Sequence, residues 1–469
     1  MRFDVKGRRV TVVGAGRSGL AAAALLASRG ARVTLADSAT TIEGADRMRA
    51  LGVSLELGPH RPEQFTSAEL LVLSPGVPPT QAAIQAARAA GIPVIGEIEL
   101  ASRWLTGRVI AITGTKGKST TTTLTARMLQ EGGFTVTAGG NLGTALSGQV
   151  AASTADALHV VEVSSFQLES TDTFHPWISV LLNLSPDHLD RHSTFEEYAA
   201  AKARIFANQT VADWAVINAD DPAVLALARD GLARRFDFGF DGTFAEGVTV
   251  EGQQIVRRIG GRAEPLVPLS AVRLPGRHLL ADVLAAAAVS AVAGVPPAAM
   301  TRAVEGFRGL EHALESVAEI DGVRFVNDSK ATNIASARRA LESFPAHVVA
   351  IMGGRFKGGD FADLAPVVHG RVDAIVAIGE AAPRIAEALG TSTRIERASS
   401  MDEAVTRAAT LAVPGGVVVL APACSSFDMF TDYAARGRAF KAAVAGLGGQ
   451  RAEGKGQRGG KRDEGEREG

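Results

Sequence analysis

Short β-type apolar runs alternate with helix-type stretches through the first hundred residues. The stretch at residues 18–28 is rich in Ala and Leu, and it separates the first two β-type runs. The β-type runs are residues 9–13, 32–36, 70–73 and 93–95. Strands that alternate with helices predict a parallel sheet with crossover helices. We therefore predict a Rossmann-like α/β domain over residues 1–104.

A second α/β domain is predicted over residues 105–305. Its β-type runs are residues 109–113, 160–163, 178–184 and 214–218, and the first is continuously apolar, as in strands buried on both faces. Residues 239–274 combine many glycines with short β-type runs and predict a hairpin-rich insertion. Residues 278–292 are almost wholly Ala, Leu and Val, which predicts a helix buried on most sides.

The alternating pattern returns over residues 306–449 and predicts a third, Rossmann-like domain. Its β-type runs are residues 323–326, 348–352, 374–378 and 417–420, and its helix-type stretches include residues 333–343 and 432–444. Residues 450–469 contain almost no apolar side chain, much glycine and many charges. Such a segment cannot offset its ordering entropy, so we predict a disordered tail there.

Composition and charge narrow the class of protein. A chain of 469 residues that is 46% hydrophobic and 21% charged is long enough for about three soluble domains. The net charge of -1 gives no electrostatic reason to expect a nucleic acid or an anionic membrane as a partner. The single cysteine, Cys424, excludes an internal disulfide and fits a reducing compartment. We expect a cytoplasmic monomer that binds small molecules.

A glycine-rich loop follows the first strand of the second domain. Its residues are Gly114, Thr115, Lys116, Gly117, Lys118, Ser119 and Thr120. Glycines let backbone N–H groups approach phosphates, and a helix that follows adds partial positive charge. We expect Lys118 to reach the β- and γ-phosphates of ATP and Ser119 or Thr120 to bind Mg²⁺. The alternative is a turn with a solvated lysine. The fold class is thus α/β in three domains, the central one with a P-loop ATPase-like parallel sheet.

A second glycine motif, Gly14 to Gly19, follows the first strand of the chain. With Asp37 at the end of the next strand it matches the dinucleotide fingerprint, in which an acidic residue binds a ribose hydroxyl. Taken alone, this motif permits an NAD-dependent oxidoreductase, or tight strand–helix packing without a ligand. The oxidoreductase hypothesis leaves the phosphate loop without a function.

Acidic and histidine side chains follow other strands of the second domain. Glu162 lies within an apolar strand, where a carboxylate needs a partner, and Mg²⁺ or a buried hydrogen bond can provide one. His188 stands among acids directly after another strand, and a hydrogen-bonded or metal-binding role is open to it. Hard oxygen neighbours and the lack of cysteine partners argue against zinc.

Polar loops also end the strands of the third domain. Asp328 and Ser329 suit either helix capping or ligand binding, and Lys357 lies in a glycine-rich run that suggests an anion pocket. Cys424 is open to a nucleophilic role, although a small buried side chain is the commoner use of cysteine in such a place.

Seven segments together resemble the Mur ligases. They are GTKGKST, VEVSSFQLE, NLSPDHLDRH, YAAAKARIF, VNDSKATN, GGRFKGGDF and PACSSFDMF, and the resemblance extends to about residue 449. The last two segments point to the family member that adds D-glutamate to UDP-N-acetylmuramoyl-L-alanine in peptidoglycan precursor synthesis. The resemblance implies an acyl phosphate formed with ATP and Mg²⁺, and an amide formed from it.

The resemblance also implies roles for particular residues. It implies that the catalytic residues are Lys118, His188 and Lys202, with Lys202 carbamylated. It implies that Mg²⁺ is bound by Ser119, Thr120, Glu162, His188 and the carbamylated Lys202. The residues matched to the UDP-substrate are Gly14, Ser18, Asp37, Ser74, Asn141 and Gln167. Those matched to D-glutamate are Thr332, Lys357, Ser426, Phe427 and Tyr433, and Asp328 and Lys330 match a nucleotide-facing loop.

The chain departs from the family pattern at nucleotide-facing positions. Lys116 replaces the usual asparagine of the phosphate loop, Leu279 and Asp282 replace two asparagines, and Ala313 replaces an arginine. These departures imply altered contacts to the adenine base and ribose. They also keep open a Mur-ligase-like nucleotide-binding protein with altered catalysis.

Overall fold

The computed structural model describes residues 3–459 except 142, 188–190, 243, 275 and 357. For residues 448–459 it describes only the backbone. The described residues form two compact units. The first comprises residues 3–273 and 277–307, and the second comprises residues 308–459 together with Leu274 and Gly276.

The amino-terminal part of the first unit is a parallel five-stranded sheet. Its strands lie in the order β3-β2-β1-β4-β5, so the chain crosses over between β3 and β4. The strands are β1 (Arg9–Val13), β2 (Arg32–Asp37), β3 (Ser54–Leu57), β4 (Leu70–Leu73) and β5 (Val94–Gly96). The helices are α1 (Arg17–Ser28), α2 (Ala45–Ala50), α3 (Pro62–Thr66), α4 (Ala82–Ala89) and α5 (Glu97–Ser102). The predicted parallel sheet with crossover helices is confirmed.

The rest of the first unit is built on a nine-stranded sheet. Its strands lie in the order β14-β13-β12-β11-β10-β9-β6-β8-β7. The strands are β6 (Arg108–Thr113), β7 (Val136–Gly140), β8 (Leu158–Glu162), β9 (Ile178–Leu181), β10 (Trp214–Asn218), β11 (Arg234–Phe238), β12 (Gly247–Glu251), β13 (Gln254–Ile259) and β14 (Arg262–Pro268). The helices are α6 (Lys118–Glu131), α7 (Ser165–Leu168), α8 (Phe195–Ala203), α9 (Pro222–Leu227), α10 (Arg277–Ala293) and α11 (Pro297–Glu305).

Two sequence expectations for this sheet are confirmed. Strands β12 to β14 pair antiparallel and form the hairpins predicted for the glycine-rich region, while the strands from β6 to β11 pair parallel. Helix α10 is buried at every residue from Asp282 to Ala291. A helix surrounded on most sides needs apolar residues at all positions, which explains its composition.

The second unit is built on a six-stranded sheet in the order β15-β16-β20-β17-β18-β19. Strands β15 and β16 pair antiparallel and the other pairs are parallel. The strands are β15 (Glu315–Ile320), β16 (Val323–Asn327), β17 (Val348–Gly353), β18 (Val372–Ile378), β19 (Arg394–Arg397) and β20 (Val417–Leu420). The helices are α12 (Ile334–Glu342), α13 (Ala365–Val368), α14 (Ala382–Leu389), α15 (Met401–Leu411) and α16 (Tyr433–Gly459).

The last helix continues beyond the boundary predicted for the tail. Helix α16 ends at Gly459, so residues 450–459 are helical rather than disordered, and residues 460–469 lie outside the described residues. The buried residues Phe440 and Val444 hold the first turns of α16 against the sheet. Once a helix is nucleated in this way, each added residue gains one hydrogen bond. Within the described ranges, no helix is both long and apolar enough to cross a bilayer.

Candidate active site

The phosphate loop joins β6 to α6 at the carboxyl end of the nine-stranded sheet. Gly114 and Gly117 have φ angles of 153° and 82°, conformations that favour glycine. A Cβ on Gly114 would lie 2.9 Å from the Cβ of Leu182, so the neighbouring strand also leaves no room for a side chain. The backbone therefore requires these two glycines, as the motif predicts.

The segment after β9 fixes the position of this loop. The backbone N–H of Thr115 donates to the Asn183 carbonyl at 2.9 Å, and that of Lys116 donates to Asn183 Oδ1 at 2.9 Å. Tyr198 of α8 donates its hydroxyl proton to Thr115 Oγ1 at 3.0 Å. These bonds preorganise the loop without help from a bound nucleotide.

Two lysines contact the same carbonyl oxygen of the loop. Lys118 Nζ donates to Gly114 O at 3.0 Å, and Lys202 Nζ donates to it at 2.8 Å. Burial, and then the nearby Lys118 ammonium, lowers the pKa of Lys202 to about 7. Two cationic groups beside a helix N-terminus make this region attractive to a phosphate chain.

Glu162 ends β8 beside the first turn of α6, and its side chain is 2% exposed. Its Oε2 accepts from Ser119 Oγ at 2.7 Å, and its Oε1 accepts from Asn141 Nδ2 at 2.7 Å. Of the two hydroxyls expected near Mg²⁺, Ser119 is therefore the one that contacts Glu162. A carboxylate and a hydroxyl are hard oxygen donors, which fits this ion.

The metal site is open to further ligands. In the part of the chain that the structure describes, no group of three or more His, Cys, Asp and Glu side chains is arranged to hold a metal. His188, which we expected to hold a second Mg²⁺, lies outside the described residues. Phosphate oxygens of ATP would have to complete the coordination of an ion at Ser119 and Glu162.

Asp282 of α10 lies against the phosphate loop. Its side chain is 5% exposed, and a Cβ on Gly117 would lie 2.1 Å from its Oδ1. Burial raises the pKa of Asp282 well above the usual value of 3.8. A protonated carboxyl can both donate and accept a hydrogen bond, as an asparagine amide does. Leu279 lies one turn earlier in the same helix and is half-buried.

A cavity of about 450 Å³ opens beside the motif that follows β1. The six residues matched to the UDP-substrate all line it, and they are Gly14, Ser18, Asp37, Ser74, Asn141 and Gln167. The first four lie in the part built on the five-stranded sheet, and the last two lie in the part built on the nine-stranded sheet. The cavity also contains Arg17, His60 and Gln81, which sequence reasoning missed. Arg17 stands inside the glycine motif, whereas nothing in the sequence around His60 and Gln81 signals a ligand.

Hydrogen bonds shape the wall of this cavity. Asp37 Oδ2 accepts from the Ala15 N–H at 2.6 Å, and Ser74 Oγ donates to Gly14 O at 2.7 Å. Gln167 Nε2 is buried and has no hydrogen-bond partner within the described part of the chain. An unpaired buried donor is costly, so this amide is suited to a ligand acceptor.

The residues expected to bind D-glutamate belong to the second unit and follow its strands. Ser426 is 2% exposed, whereas Phe427 and Tyr433 are 58% and 42% exposed. Thr332 is half-buried and precedes α12. Lys357 lies outside the described residues.

The remaining predicted residues of the second unit lie near the same strand ends. Burial raises the pKa of Asp328 to about 7, and Lys330 is exposed beside it. Ala313 is half-buried just before β15. Cys424 is fully buried, and burial raises the pKa of its thiol to about 12. A thiol that stays protonated is a poor nucleophile, so a packing role is favoured.

The fold and these loops define a ligase of the Mur type, and comparison with known proteins agrees. Residues 8–96 match the N-terminal domain of MurD-like Mur ligases, residues 112–290 match the Mur ligase middle domain, and residues 314–424 match the Mur ligase glutamate ligase domain. The chain belongs to the Mur ligase family.

Within that family the chain is similar to the UDP-N-acetylmuramoylalanine–D-glutamate ligases. It is 45% identical to that of Acidobacterium capsulatum over 444 residues, which cover 94% of this chain and 96% of the relative. It is 45% identical to that of Geobacter metallireducens over 449 residues, which cover 95% of this chain and 99% of the relative.

Solved structures show the same fold at low sequence identity. The UDP-N-acetylmuramate-alanine ligase MurC of Thermotoga maritima is 19% identical with a TM-score of 0.58, and the match covers 94% of this chain and 100% of its own. The pseudomurein peptide ligase type C of Methanothermus fervidus is 18% identical with a TM-score of 0.53, and the match covers 88% of this chain and 96% of its own.

Proposed function

We propose that this protein is an ATP-dependent ligase that joins D-glutamate to UDP-N-acetylmuramoyl-L-alanine in peptidoglycan precursor synthesis. One structural observation carries the proposal. Asn141 lines the cavity of the first unit and donates to Glu162, and Glu162 accepts from Ser119 of the phosphate loop. A substrate in the cavity would therefore extend towards the γ-phosphate of ATP.

The reaction has two bond-forming steps. An oxygen of the substrate carboxylate attacks the γ-phosphorus of ATP, the bond to the β-phosphate oxygen breaks, and ADP leaves. The D-glutamate nitrogen then attacks the acyl carbon, loses a proton, and displaces inorganic phosphate. Each step brings anions together, so catalysis requires fixed positive charge and oriented donors.

The protein groups of the first unit meet that requirement. Lys118 and the backbone N–H groups of the loop bind and orient the phosphate chain. Ser119 and Glu162 would hold Mg²⁺, which supplies charge neutralisation when bound. We assign Lys202 a carbamate, R–NH–COO⁻, formed from its neutral amine and CO₂ with release of a proton. Its burial against Gly114 O supports a role at the phosphates rather than on the surface.

Substrate roles follow the positions described above. We assign the UDP-substrate to the cavity lined by Gly14, Ser18, Asp37, Ser74, Asn141 and Gln167. We assign D-glutamate to Thr332, Lys357, Ser426, Phe427 and Tyr433, and the nucleotide-facing role to Asp328 and Lys330. We further propose that the protein is cytoplasmic, because a free buried cysteine fits a reducing compartment. We also propose that it acts as a monomer.

Phosphate release tests the activity. We expect release that requires ATP, UDP-N-acetylmuramoyl-L-alanine and D-glutamate together. Lys118→Ala should lower kcat on the order of 10²- to 10³-fold, because a donor to the transferred phosphate is lost. Lys6→Ala, an exposed lysine of the first unit, is the matched control and should retain activity. Absence of D-glutamate-dependent release from the wild-type protein at saturating ATP would refute the proposal.

A further inference from the structure

A single arginine lies beneath three loops of the second unit. Arg436, in the first turn of α16, is 1% exposed. The three loops follow β16, β17 and β20, and the arginine reaches Ser329 and Cys424 within the first and third of them and Gly353 at the end of β17, where the second begins. These are the loops that continue into the residues assigned to D-glutamate.

The guanidinium group bonds to all three loops at once. Arg436 Nε donates to Ser329 Oγ at 3.0 Å, and Nη2 donates to Ser329 O at 2.9 Å. Its Nη1 donates to Cys424 O at 3.1 Å and, at 3.4 Å, to Gly353 O. A planar guanidinium has five N–H donors in fixed directions, so it can set the distance between loops that share no covalent link.

The packing around Arg436 leaves little freedom for the loops to shift. A Cβ on Gly354 would lie 2.1 Å from Ser425 O and 3.2 Å from Arg436 Nη1. Ser329 Oγ also donates to Tyr433 O at 2.7 Å, which ties the first loop to the start of α16. The hydrogen bonds of the Arg436 side chain and the close backbone contact between Gly354 and Ser425 therefore both restrict movement of the loops.

The charge of Arg436 is not used in an ion pair. Among the described residues, no carboxylate lies within 4 Å of its guanidinium, and Asp428 acts on it only at longer range. Burial lowers the pKa of Arg436 to about 10, so the group stays charged at neutral pH. A buried cation without a paired anion is costly, and the four hydrogen bonds from Arg436 to loop oxygens offset part of that cost.

We propose that Arg436 is a positioning residue for the amine substrate, holding the three loops in register so that their side chains and N–H groups meet the D-glutamate carboxylates. The inference rests on the proposed function and adds a residue that touches none of the substrates. Its consequence is selective: the KM for D-glutamate depends most strongly on Arg436, whereas binding of the UDP-substrate to the first unit does not depend on it.

The test measures three KM values for two variants in the phosphate-release assay. Arg436→Gln should raise the KM for D-glutamate about 10- to 100-fold, because misplacement by about 1 Å can cost that much. The KM for UDP-N-acetylmuramoyl-L-alanine should stay close to wild type, and the KM for ATP should rise less than that for D-glutamate, because only one of the three loops carries the nucleotide-facing Asp328 and Lys330. Arg436→Lys should give an intermediate KM for D-glutamate, because lysine keeps the charge but cannot bond three loops in one plane.

Two further variants separate positioning from stability. Arg371→Gln is a matched control, because Arg371 bonds to Phe344 O at the opposite end of the same sheet. It should lower the melting temperature without changing the KM for D-glutamate. Ser329→Ala removes one acceptor of Arg436 and keeps the backbone. It should raise the KM for D-glutamate by a smaller factor than Arg436→Gln, and it tests the proposal independently if Arg436→Gln does not fold.

The outcomes are distinct. An unchanged KM for D-glutamate in the Arg436 and Ser329 variants, equal increases in all three KM values, or full recovery in Arg436→Lys would each overturn the positioning role. A wild-type protein without D-glutamate-dependent turnover would instead refute the proposed function.

Discussion

At the scale of single residues, the carbonyl oxygen of Gly114 is a shared point in the phosphate site. It accepts from Lys118 and from Lys202, although the two residues are far apart in sequence. The local sequence of Lys202 resembles that of any surface helix lysine, and only the fold shows that it is 1% exposed. Burial beside another cation disfavours its ammonium form, so part of the population is a neutral amine at neutral pH.

A neutral buried amine beside the loop leads to a prediction on carbon dioxide. Removing dissolved CO₂ and bicarbonate from the wild-type enzyme should lower kcat several-fold, because the assigned carbamate of Lys202 then loses its CO₂. Adding bicarbonate should restore the rate, and ¹³C NMR with labelled bicarbonate should show a protein carbamate signal. Lys202→Met should lack that signal, and Lys6→Ala should retain it. A wild-type rate that is independent of CO₂ would contradict the assignment.

Asp282 gives a prediction on pH and stability. Burial raises the pKa of Asp282 in the folded state, so the folded protein holds this proton more tightly than the unfolded chain does. The contribution of Asp282 to the free energy of unfolding is therefore fully present below about pH 3.8, and it is lost as the pH rises through the folded pKa. Asp282→Asn should remove this loss. The free energy of unfolding in urea should therefore fall less as the pH rises above about 4 in Asp282→Asn than in wild type.

The neighbours of Asp282 do not alter the sign of this effect. Lys116 and Lys118 are the charged groups of the adjoining loop and first turn of α6, and strands β9 and β10 carry none. Several other charged groups on the packed elements form ion pairs, which are Arg302–Glu131, Arg235–Asp237, Arg258–Glu251 and Arg257–Glu264, and Arg127 and Arg234 donate to backbone carbonyls. Glu97→Gln tests the same reasoning at a second site, since Glu97 is also buried with a raised pKa and accepts from the Ser147 N–H away from the loop; its free energy of unfolding should likewise fall less with rising pH than that of wild type. Equal pH slopes for Asp282→Asn and wild type would contradict the prediction.

At the scale of elements, the contact between α1 and the loop after β1 determines the shape of the UDP-substrate cavity. A Cβ on Gly19 would lie 1.7 Å from Gly14 O, the same oxygen that accepts from Ser74. Gly19→Ala should therefore displace α1 from the loop and weaken binding of UDP-N-acetylmuramoyl-L-alanine at least about tenfold by calorimetry. ATP binding should change little.

A second glycine provides the control for that substitution. Gly446 lies in helix α16 with nothing within 4 Å of an added Cβ. Gly446→Ala should be neutral or stabilise by about 0.5–1 kcal/mol, because alanine loses less backbone entropy in a helix. If both alanine variants bind the UDP-substrate like wild type, the close contact at Gly19 does not shape the cavity.

Elements with a strong pattern were predictable from sequence, and distant contacts were not. The continuous apolar runs at β6, β17 and β20 predict their own burial, and so does α10, in which Ala, Leu and Val occupy nearly every position after His278. Strands β3 and β19 are short and half-exposed, so they lack such a pattern and were missed. Among site residues, the spacing of the glycines predicts the two glycine loops. No local pattern predicts that His60, Tyr198 and Arg436 lie in their sites, because only the folded structure brings them there.

At the scale of the whole molecule, the two units should respond differently to the UDP-substrate. Its assigned cavity lies wholly within the first unit. At 100 times its Kd, a ligand that binds only the folded form stabilises it by about 2.7 kcal/mol. Hydrogen exchange should therefore slow in residues 3–273 and remain nearly unchanged in residues 308–459. Protection confined to the second unit would contradict the assigned cavity.

The antiparallel end of the nine-stranded sheet has a consequence for behaviour at high concentration. Strand β14 ends the sheet order, and it includes Pro265 and Pro268 together with exposed Arg262 and Glu264. Proline has no N–H to donate, and charges on an edge strand disfavour pairing with a second chain. The hairpins therefore act as a cap against intermolecular β-aggregation, which protects a sheet whose central strands β6, β8, β9 and β10 are mostly apolar and buried.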